Sequence, residues 1–495
     1  MKPKGASHRA AVRGALRRVP GEVLVQFTPE ASSFNVVSAH RSFGAKVINR
    51  LDKVNCQVVK VPDGREGRYA ARYSRHRLVR YAEPNYLVHT LYHPNDPYLN
   101  GPYETSHDGP MTQYWLPKIS ALEGWEKVRS LAPGPILAIV DTGIDYEHPD
   151  LASKMARDAS GQVVGHNFVD GTDDAMDDNG HGTHCAGIAA AATDNNVGIA
   201  GVSFNAVKLM PVKVLDRSGS GSVANVANGV TWAADHGAKV ISLSLGAPMY
   251  SQTLQEAIVH ARSEGAIVVA AAGNDGRAVC NYPGANYHAL GVAATGQDDT
   301  VAGFSNWNIG VGLSAPGVAI LSTLPDRPAE LNNYGYLQGY DALDGTSMAT
   351  PVVSGLLALL FAAEPGLTPD KAIGRLQATA RNVAGIAGDG WDAHYGHGRV
   401  DVRAVLEATP RGGGLGSIYG QVVGKSGLPV SGATVAAGGR SYRTGLDGMF
   451  RLANLSAGKY DVLVRLRRCR KRTAAMAAVE VKPGQDTVTQ MTAWP

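Results

Sequence analysis

"DGTSMATPVVSGLLALLFA", Asp344–Ala362, decides how the rest of the chain is read. It opens on small polar residues and turns into an almost unbroken apolar block from Val352 to Ala363. Val352, Val353, Leu356, Leu357, Leu359, Leu360 and Phe361 would cover nearly every face of a helix, which leaves no polar side for water. The block falls short of the roughly 20 residues that span a bilayer, so it belongs in a globular core. Pro351 is tolerated near a helix start, where backbone N–H groups lack intrahelical partners. The helix therefore begins at about Thr346–Met348, with Ser347 in its first turn. Two roles fit a serine there. One is to cap the helix. The other is to be a nucleophile whose reaction builds a negative oxygen, because free N–H groups and the helix dipole favour negative charge at that end. The second role needs a base elsewhere in the chain.

Working outward, the sequence alternates apolar strands with amphipathic helices from about residue 92 to 409. Strands are expected at "ILAIV" (136–140), "VKLMPVKVL" (207–215), "KVISLSL" (239–245) and "AIVVAAA" (266–272), and helices at about 182–193, 222–236 and 251–264. This pattern predicts an α/β fold, a mostly parallel sheet with helices on both faces. Such sheets place ligands beyond the carboxyl ends of their strands. Before this region, 20–91 reads as a small α+β unit with strands at "GEVLVQF", "NCQVVKV" and "YAEPNYLV", preceded by a basic mobile tail, 1–19. After it, "TPRGGGLGS" marks a Gly-rich linker, 410–417. Residues 418–495 carry short strands with turn signals, a small all-β sandwich.

Composition bounds the function. A chain of 495 residues suggests two or three domains. A net charge of +4 is too mild to argue for nucleic acid, and the basic clusters at the start and at "RLRRCRKR" (465–472) read as solvated surface. Four scattered cysteines, Cys56, Cys185, Cys280 and Cys469, make no disulfide framework. No apolar region follows the basic start, so no classical signal peptide is expected. A mis-set start, export by another route and residence inside the cell all stay open.

The base that Ser347 requires has a candidate. "ILAIVDTGID" ends a buried strand with Asp141, and "DNGHGTHCAGIAAAA" opens a small-residue helix with His181. A serine attacks a carbonyl when a histidine takes its proton and a carboxylate orients that histidine. Each residue alone is ordinary: an Asp after a strand commonly caps a helix, and a lone His is commonly core or surface. The three motifs together resemble the subtilisin-like serine proteases, and the thermitase-like branch most closely, over about 92–409. The resemblance implies Asp141 as orienting acid, His181 as general base and Ser347 as nucleophile. It also implies Asn274, in "VVAAAGNDG", as a second donor to the oxyanion.

The same resemblance implies where substrate lies. "RSGSG" gives Gly219, Ser220 and Gly221 as the strand that pairs with substrate backbone. "SLSLG" gives Ser244, Leu245 and Gly246 as one wall of the first specificity pocket, and Ala271, Ala272 and Gly273 as the other. Small neutral walls imply a broad preference for large apolar residues before the cut. "TDNNVGIAG" resembles the family's calcium loop, offering the Asn195 side chain and the carbonyls of Ala192, Val197 and Ile199, with Asp150 and Asp96 as carboxylates. Hard oxygen ligands of this kind suit Ca2+. The acidic run Asp170, Asp173, Asp174, Asp177 and Asp178 is either a second ion site or a solvated loop. Zinc at His181, His184 and Cys185 is not expected, since "HGTHC" lacks the Glu of the usual zinc-protease motif.

Residues 20–91 resemble this family's inhibitor propeptides, which implies a self-processing zymogen cut near Leu91–Tyr92 and a released segment that inhibits the enzyme. Residues 418–495 resemble carboxypeptidase-regulatory-like sandwiches, a fold that does not name its partner. The expected protein is a monomer acting on protein or peptide substrates, outside the cell or at its envelope. No organic cofactor, nucleic acid or transmembrane segment is expected. The competing reading is an adhesive protein carrying a degenerate protease domain.

Overall fold

The computed structural model describes residues 18–87, 93–107, 109–383, 390–408, 415–466 and 475–493. The junction expected at Leu91–Tyr92, the tail before Arg18, linker residues 410–414 and the basic run from Arg467 on, with Cys469, lie outside the described residues. The chain divides into two compact units, Met1–Leu91 and Tyr92–Pro495.

The first unit is a four-stranded antiparallel sheet, ordered Lys46–Leu51, Cys56–Lys60, Arg18–Phe27, Val79–Tyr86. Alternation along Arg18–Phe27 turns Val23, Val25 and Phe27 inward. They meet Ala39 and Ala70 from two helices, Ser33–Phe43 and Glu66–Tyr73. Ser32 caps the first helix by accepting the Asn35 N–H.

The second unit is built on seven parallel strands. Their order is Val311–Pro316, Ala289–Thr295, Ile267–Ala271, Ala238–Leu243, Ile136–Asp141, Lys208–Lys213, His166–Asn167. The sheet is buried on both faces, and strand parity sorts its side chains. Leu137 and Ile139 face a layer with the helices His181–Ala190 and Thr346–Ala363. Ala138 and Val140 face the helices Val223–Asp235 and Gln252–Ser263. The helix Thr346–Ala363 starts where its sequence predicts. It is long and apolar enough by composition to cross a membrane, yet 83% of that window is buried inside the fold. It is the central core helix.

Topology fixes where a site can form. From Ile136–Asp141 the chain builds strands on one side, then crosses to Ala238–Leu243 on the other. The order reverses there, so a crevice opens at the carboxyl end of Ile136–Asp141. Asp141 is the last residue of that strand.

The C-terminal strands form a three-stranded sheet, Met449–Ser456, Leu415–Val423, Asp486–Thr492, and a four-stranded one, Arg440–Arg443, Thr434–Ala437, Gly458–Arg465, Ala475–Val481. Ile418, Val422, Val435, Phe450, Val462 and Val464 fill the space between them. The first strand begins at Leu415, inside the stretch expected to be linker. The sandwich also packs on the parallel-sheet domain. The Asp486 side chain is buried, ion-paired with Arg451 within the sandwich and bonded to His397 (3.0 Å) and the Gln377 amide (3.0 Å) across the boundary. Arg451 lies 4.5 Å from the Trp391 ring centre and 4.4 Å from that of Tyr419.

Candidate active site

Asp141 is fully buried, and its Oδ1 lies 2.8 Å from His181 Nδ1. The histidine stands in the first turn of His181–Ala190, and that helix start is braced by a second buried acid. Asp177 Oδ1 accepts the Asn179 and Gly180 N–H groups, and its Oδ2 accepts the Thr183 N–H and hydroxyl. Gly182 lets the helix meet the loop after Asp141, since a Cβ there would lie 2.1 Å from the Gly143 carbonyl oxygen. Burial works against a charged His181 ring, but the charge and hydrogen bond of Asp141, aided by Asp177, outweigh it, so His181 ionises above its usual range. With Nδ1 held by Asp141, Nε2 is the ring nitrogen left for proton transfer.

Ser347 approaches from the opposite helix. Its Oγ donates to the Ser244 carbonyl at 3.0 Å, and Ser244 Oγ donates back to the Ser347 carbonyl at 2.7 Å. Cys185, one turn beyond His181, donates to the same carbonyl at 3.5 Å, which ties the two helices. Burial pushes the Cys185 thiol well above its usual range, so it stays a neutral packing group. Asn274 is oriented by Thr346, whose N–H (2.9 Å) and hydroxyl (2.8 Å) both donate to Asn274 Oδ1. That arrangement turns Nδ2 away from Thr346, and Nδ2 and the Ser347 nitrogen both lie within 3.5 Å of where a Cβ on Gly345 would stand.

A cleft of about 580 Å³ runs past His181. Of the residues expected to bind substrate, Gly219, Ser220, Gly221, Ser244, Leu245 and Gly246 line it. Ala271, Ala272 and Gly273 do not. They lie behind the site, with Ala271 and Ala272 buried and Gly273 N–H donating to Thr346 Oγ1. Sequence reasoning missed Asn281, whose Nδ2 donates to the Ala271 carbonyl (3.3 Å), and Tyr282, which lines the cleft.

The expected calcium residues gather at a second place. Asp96 and Asp150 are both fully buried. Asp150 accepts from Asn195 Nδ2 (2.8 Å), the Ile199 N–H (2.9 Å) and the Tyr340 hydroxyl (2.9 Å), and its carbonyl accepts the Ala192 N–H (2.8 Å). Asn195 Oδ1 accepts the Val197 N–H (2.9 Å). Asp96 accepts the Asp194 N–H and is pushed up to about 6 by burial away from water, with the Asp150 charge adding to the shift. Two buried carboxylates answered only by N–H, amide and phenol groups are the chemistry a hard cation satisfies. Tyr340 has no local signal in the sequence.

The acidic run is dispersed. Asp177 braces the His181 helix, Asp178 pairs with Lys213 (2.7 Å), Asp173 with His166 (2.8 Å), Asp174 accepts from Tyr146, and Asp170 from Asn167. His184 is buried and bonded to the Asp341 carbonyl (3.2 Å), and burial lowers it to about 3. Among the described residues, the group of three metal-capable side chains is Asp141, His181 and Cys185, the site already described.

Comparison with known proteins gives the family. Residues 132–398 match the model of the Subtilase family, residues 5–85 that of the Fervidolysin N-terminal prodomain, and residues 417–493 that of the Carboxypeptidase regulatory-like domain. The chain is 36% identical over 383 residues to a thermophilic serine proteinase of Bacillus sp. (strain AK1), covering 77% of this chain and 86% of that protein. It is 42% identical over 316 residues to thermitase of Thermoactinomyces vulgaris, covering 64% of this chain and 100% of that protein. The structure resembles that of fervidolysin from Fervidobacterium pennivorans, described as a keratinolytic enzyme related to subtilisin, with a TM-score of 0.54 and 27% identity over 96% of this chain and 78% of that one. The chain therefore belongs to the subtilase family, serine proteases that hydrolyse peptide bonds, and carries a prodomain and a carboxypeptidase-regulatory-like domain with its protease fold.

Proposed function

We propose that the chain is an endopeptidase working through a Ser347–His181–Asp141 triad and an acyl-enzyme, with broad preference for large apolar residues before the cut. What carries the reading is the 2.8 Å bond between His181 Nδ1 and Asp141 beside a cleft whose wall, Ser244, is bonded twice to Ser347. Substrate backbone enters along Gly219–Gly221 as an added strand. Ser347 Oγ gives up its bond to the Ser244 carbonyl and passes its proton to His181 Nε2 as it attacks the scissile carbonyl. Asp141 holds the ring in the tautomer that accepts this proton and stabilises the imidazolium. The Asn274 amide and the N–H at the helix start receive the oxygen's negative charge. His181 then protonates the leaving amine, and water releases the acyl group by the reverse path. A small phosphonylating reagent should label Ser347, located by peptide mapping. A label elsewhere, or none, sinks the reading.

The pH profile follows from His181. Its ionisation lies above the ordinary 6.5, and the base must be neutral to act, so kcat/KM should fall on acidification with an apparent pKa above 6.5. An acid limb with an apparent pKa below 6.5 would contradict this raised ionisation of His181 as the base.

The prodomain match supports a zymogen whose N-terminal unit is removed by the enzyme itself, near Leu91–Tyr92. Relatives named as a cell wall-associated protease and an extracellular serine protease support a site of action outside the cell or at its envelope.

Calcium is proposed as a structural ion. Asp96, Asp150 and the Asn195 side chain, with the carbonyls of Ala192, Val197 and Ile199, would hold it, and it would neutralise the buried carboxylate pair without touching the reacting bond. A ligand that binds only the folded state stabilises by about 2.7 kcal/mol at a hundredfold excess over its Kd. In inactive Ser347→Ala protein, calcium should raise Tm, chelator should reverse the gain, and Asp150→Ala should remove most of it. Melting curves that overlay with and without calcium would refute the site.

A further inference from the structure

One residue of the cleft lining is anchored in the C-terminal sandwich. Tyr282 lines the cleft, and its hydroxyl donates to Asp447 Oδ2 at 2.6 Å. Asp447 belongs to the C-terminal sandwich, in the turn before Met449–Ser456, and both residues are buried. Its other oxygen is fixed by the Met449 N–H (3.0 Å), so the carboxylate cannot swing without breaking its own turn. Gln421 adds a second strut, its Nε2 donating to the Asp447 carbonyl (2.9 Å) and reaching the Tyr250 hydroxyl (3.4 Å).

The segment held this way is tied to the Ser244–Gly246 wall of the proposed pocket. Tyr282 exchanges backbone hydrogen bonds with Ala247, at 2.8 and 2.9 Å, directly after the Ser244–Gly246 wall. Asn281 Nδ2 also reaches the Ala271 carbonyl, on the strand behind the site. The fit against the wall is close: a Cβ on Gly246 would lie 2.0 Å from Asn281 Nδ2. A shift of residues 281–282 is therefore transmitted to Ser244–Gly246, with no slack to absorb it.

We propose that Asp447 is a positioning residue for substrate selection: through Tyr282 the C-terminal domain fixes the floor of the pocket that receives the side chain before the scissile bond. This rests on the substrate path proposed above. A large side chain must reach that floor, whereas alanine stops short of it. Losing the anchor should therefore penalise large residues selectively, through KM more than kcat.

The experiment uses mature enzyme that retains the sandwich, checked by mass, and short chromogenic peptides with Phe, Leu or Ala before the cut. Asp447→Ala should lower the Phe:Ala ratio of kcat/KM about tenfold, the loss that a buried hydrogen bond to a charged group supports. Asp447→Asn, which keeps an acceptor, should recover most of it. Tyr282→Phe removes the same bond from the other partner and should lower the ratio without adding to Asp447→Ala. Asn454→Ala breaks a different domain contact, the 2.8 Å bond to the Trp391 N–H, and should lower Tm with the ratio unchanged. Should Asp447→Ala fail to fold, the Tyr282→Phe ratio decides. An unchanged ratio in the variants overturns the proposal. Phosphonylation of Ser347 in the wild type separates the two readings: absent labelling sinks the triad, while normal labelling with an unchanged ratio sinks only the role of Asp447.

Discussion

Ser347→Ala protein is expected to lose peptide hydrolysis by a factor of about 10⁶ in kcat while keeping its fold. The corresponding loss in subtilisin is about 2 × 10⁶, roughly 8–9 kcal/mol of barrier. The fold should survive because the substitution removes one hydroxyl whose described bond goes to the Ser244 carbonyl, and Ser244 keeps its own bond to the Ser347 carbonyl. The buried remainder of the helix, from Val352 to Phe361, is untouched. Maturation should stop with hydrolysis, so the purified variant should retain its N-terminal unit, whereas mass spectrometry of the active enzyme should find an N-terminus within about three residues of Tyr92. A variant that matures at the wild-type rate with no other protease present would refute self-processing. A mature N-terminus beyond Asp96 would remove a proposed calcium ligand as well.

Asn274→Leu is expected to slow turnover by roughly 10²–10³ with little change in KM, the loss seen when the corresponding donor of subtilisin is removed. The orientation of the amide makes this test sharp. Thr346 gives two hydrogen bonds to Oδ1, so in the proposed mechanism Nδ2 is the end presented to the developing oxyanion and contributes most in the transition state. Leucine also strips Thr346 of an acceptor, so the Tm of the variant is measured beside its kinetics. An effect confined to KM would rule out the oxyanion role whatever the stability.

The helix carrying Ser347 and the strand ending in Asp141 were legible because local chemistry marks them: continuous apolar runs, each meeting small polar residues at one end. Ala289–Thr295 and Val311–Pro316 were not marked. "ALGVAAT" and "VGLSAP" are rich in small residues of weak strand propensity, and burial on both faces removes the alternation that would reveal them. The same limit hid parts of the sites. Tyr340 reaches Asp150 across 190 residues of chain, and Tyr282 reaches Asp447 across 165. The acidic run was ambiguous for another reason: nothing in its spacing distinguishes an ion ligand from the brace that Asp177 provides beneath His181.

Placing the serine on the long buried core helix has a kinetic consequence. The bonds that align the site close long loops, of 40 residues between Asp141 and His181, 72 between Asn274 and Thr346, and 103 between Ser244 and Ser347. Contacts so distant along the chain form late, because their loop entropy must be met before any packing rewards it. A nascent or partly unfolded chain therefore has a core helix without a sheet to rest on, and a serine with no histidine beside it. For the triad proposed here, proteolytic power therefore arrives with the last stage of folding.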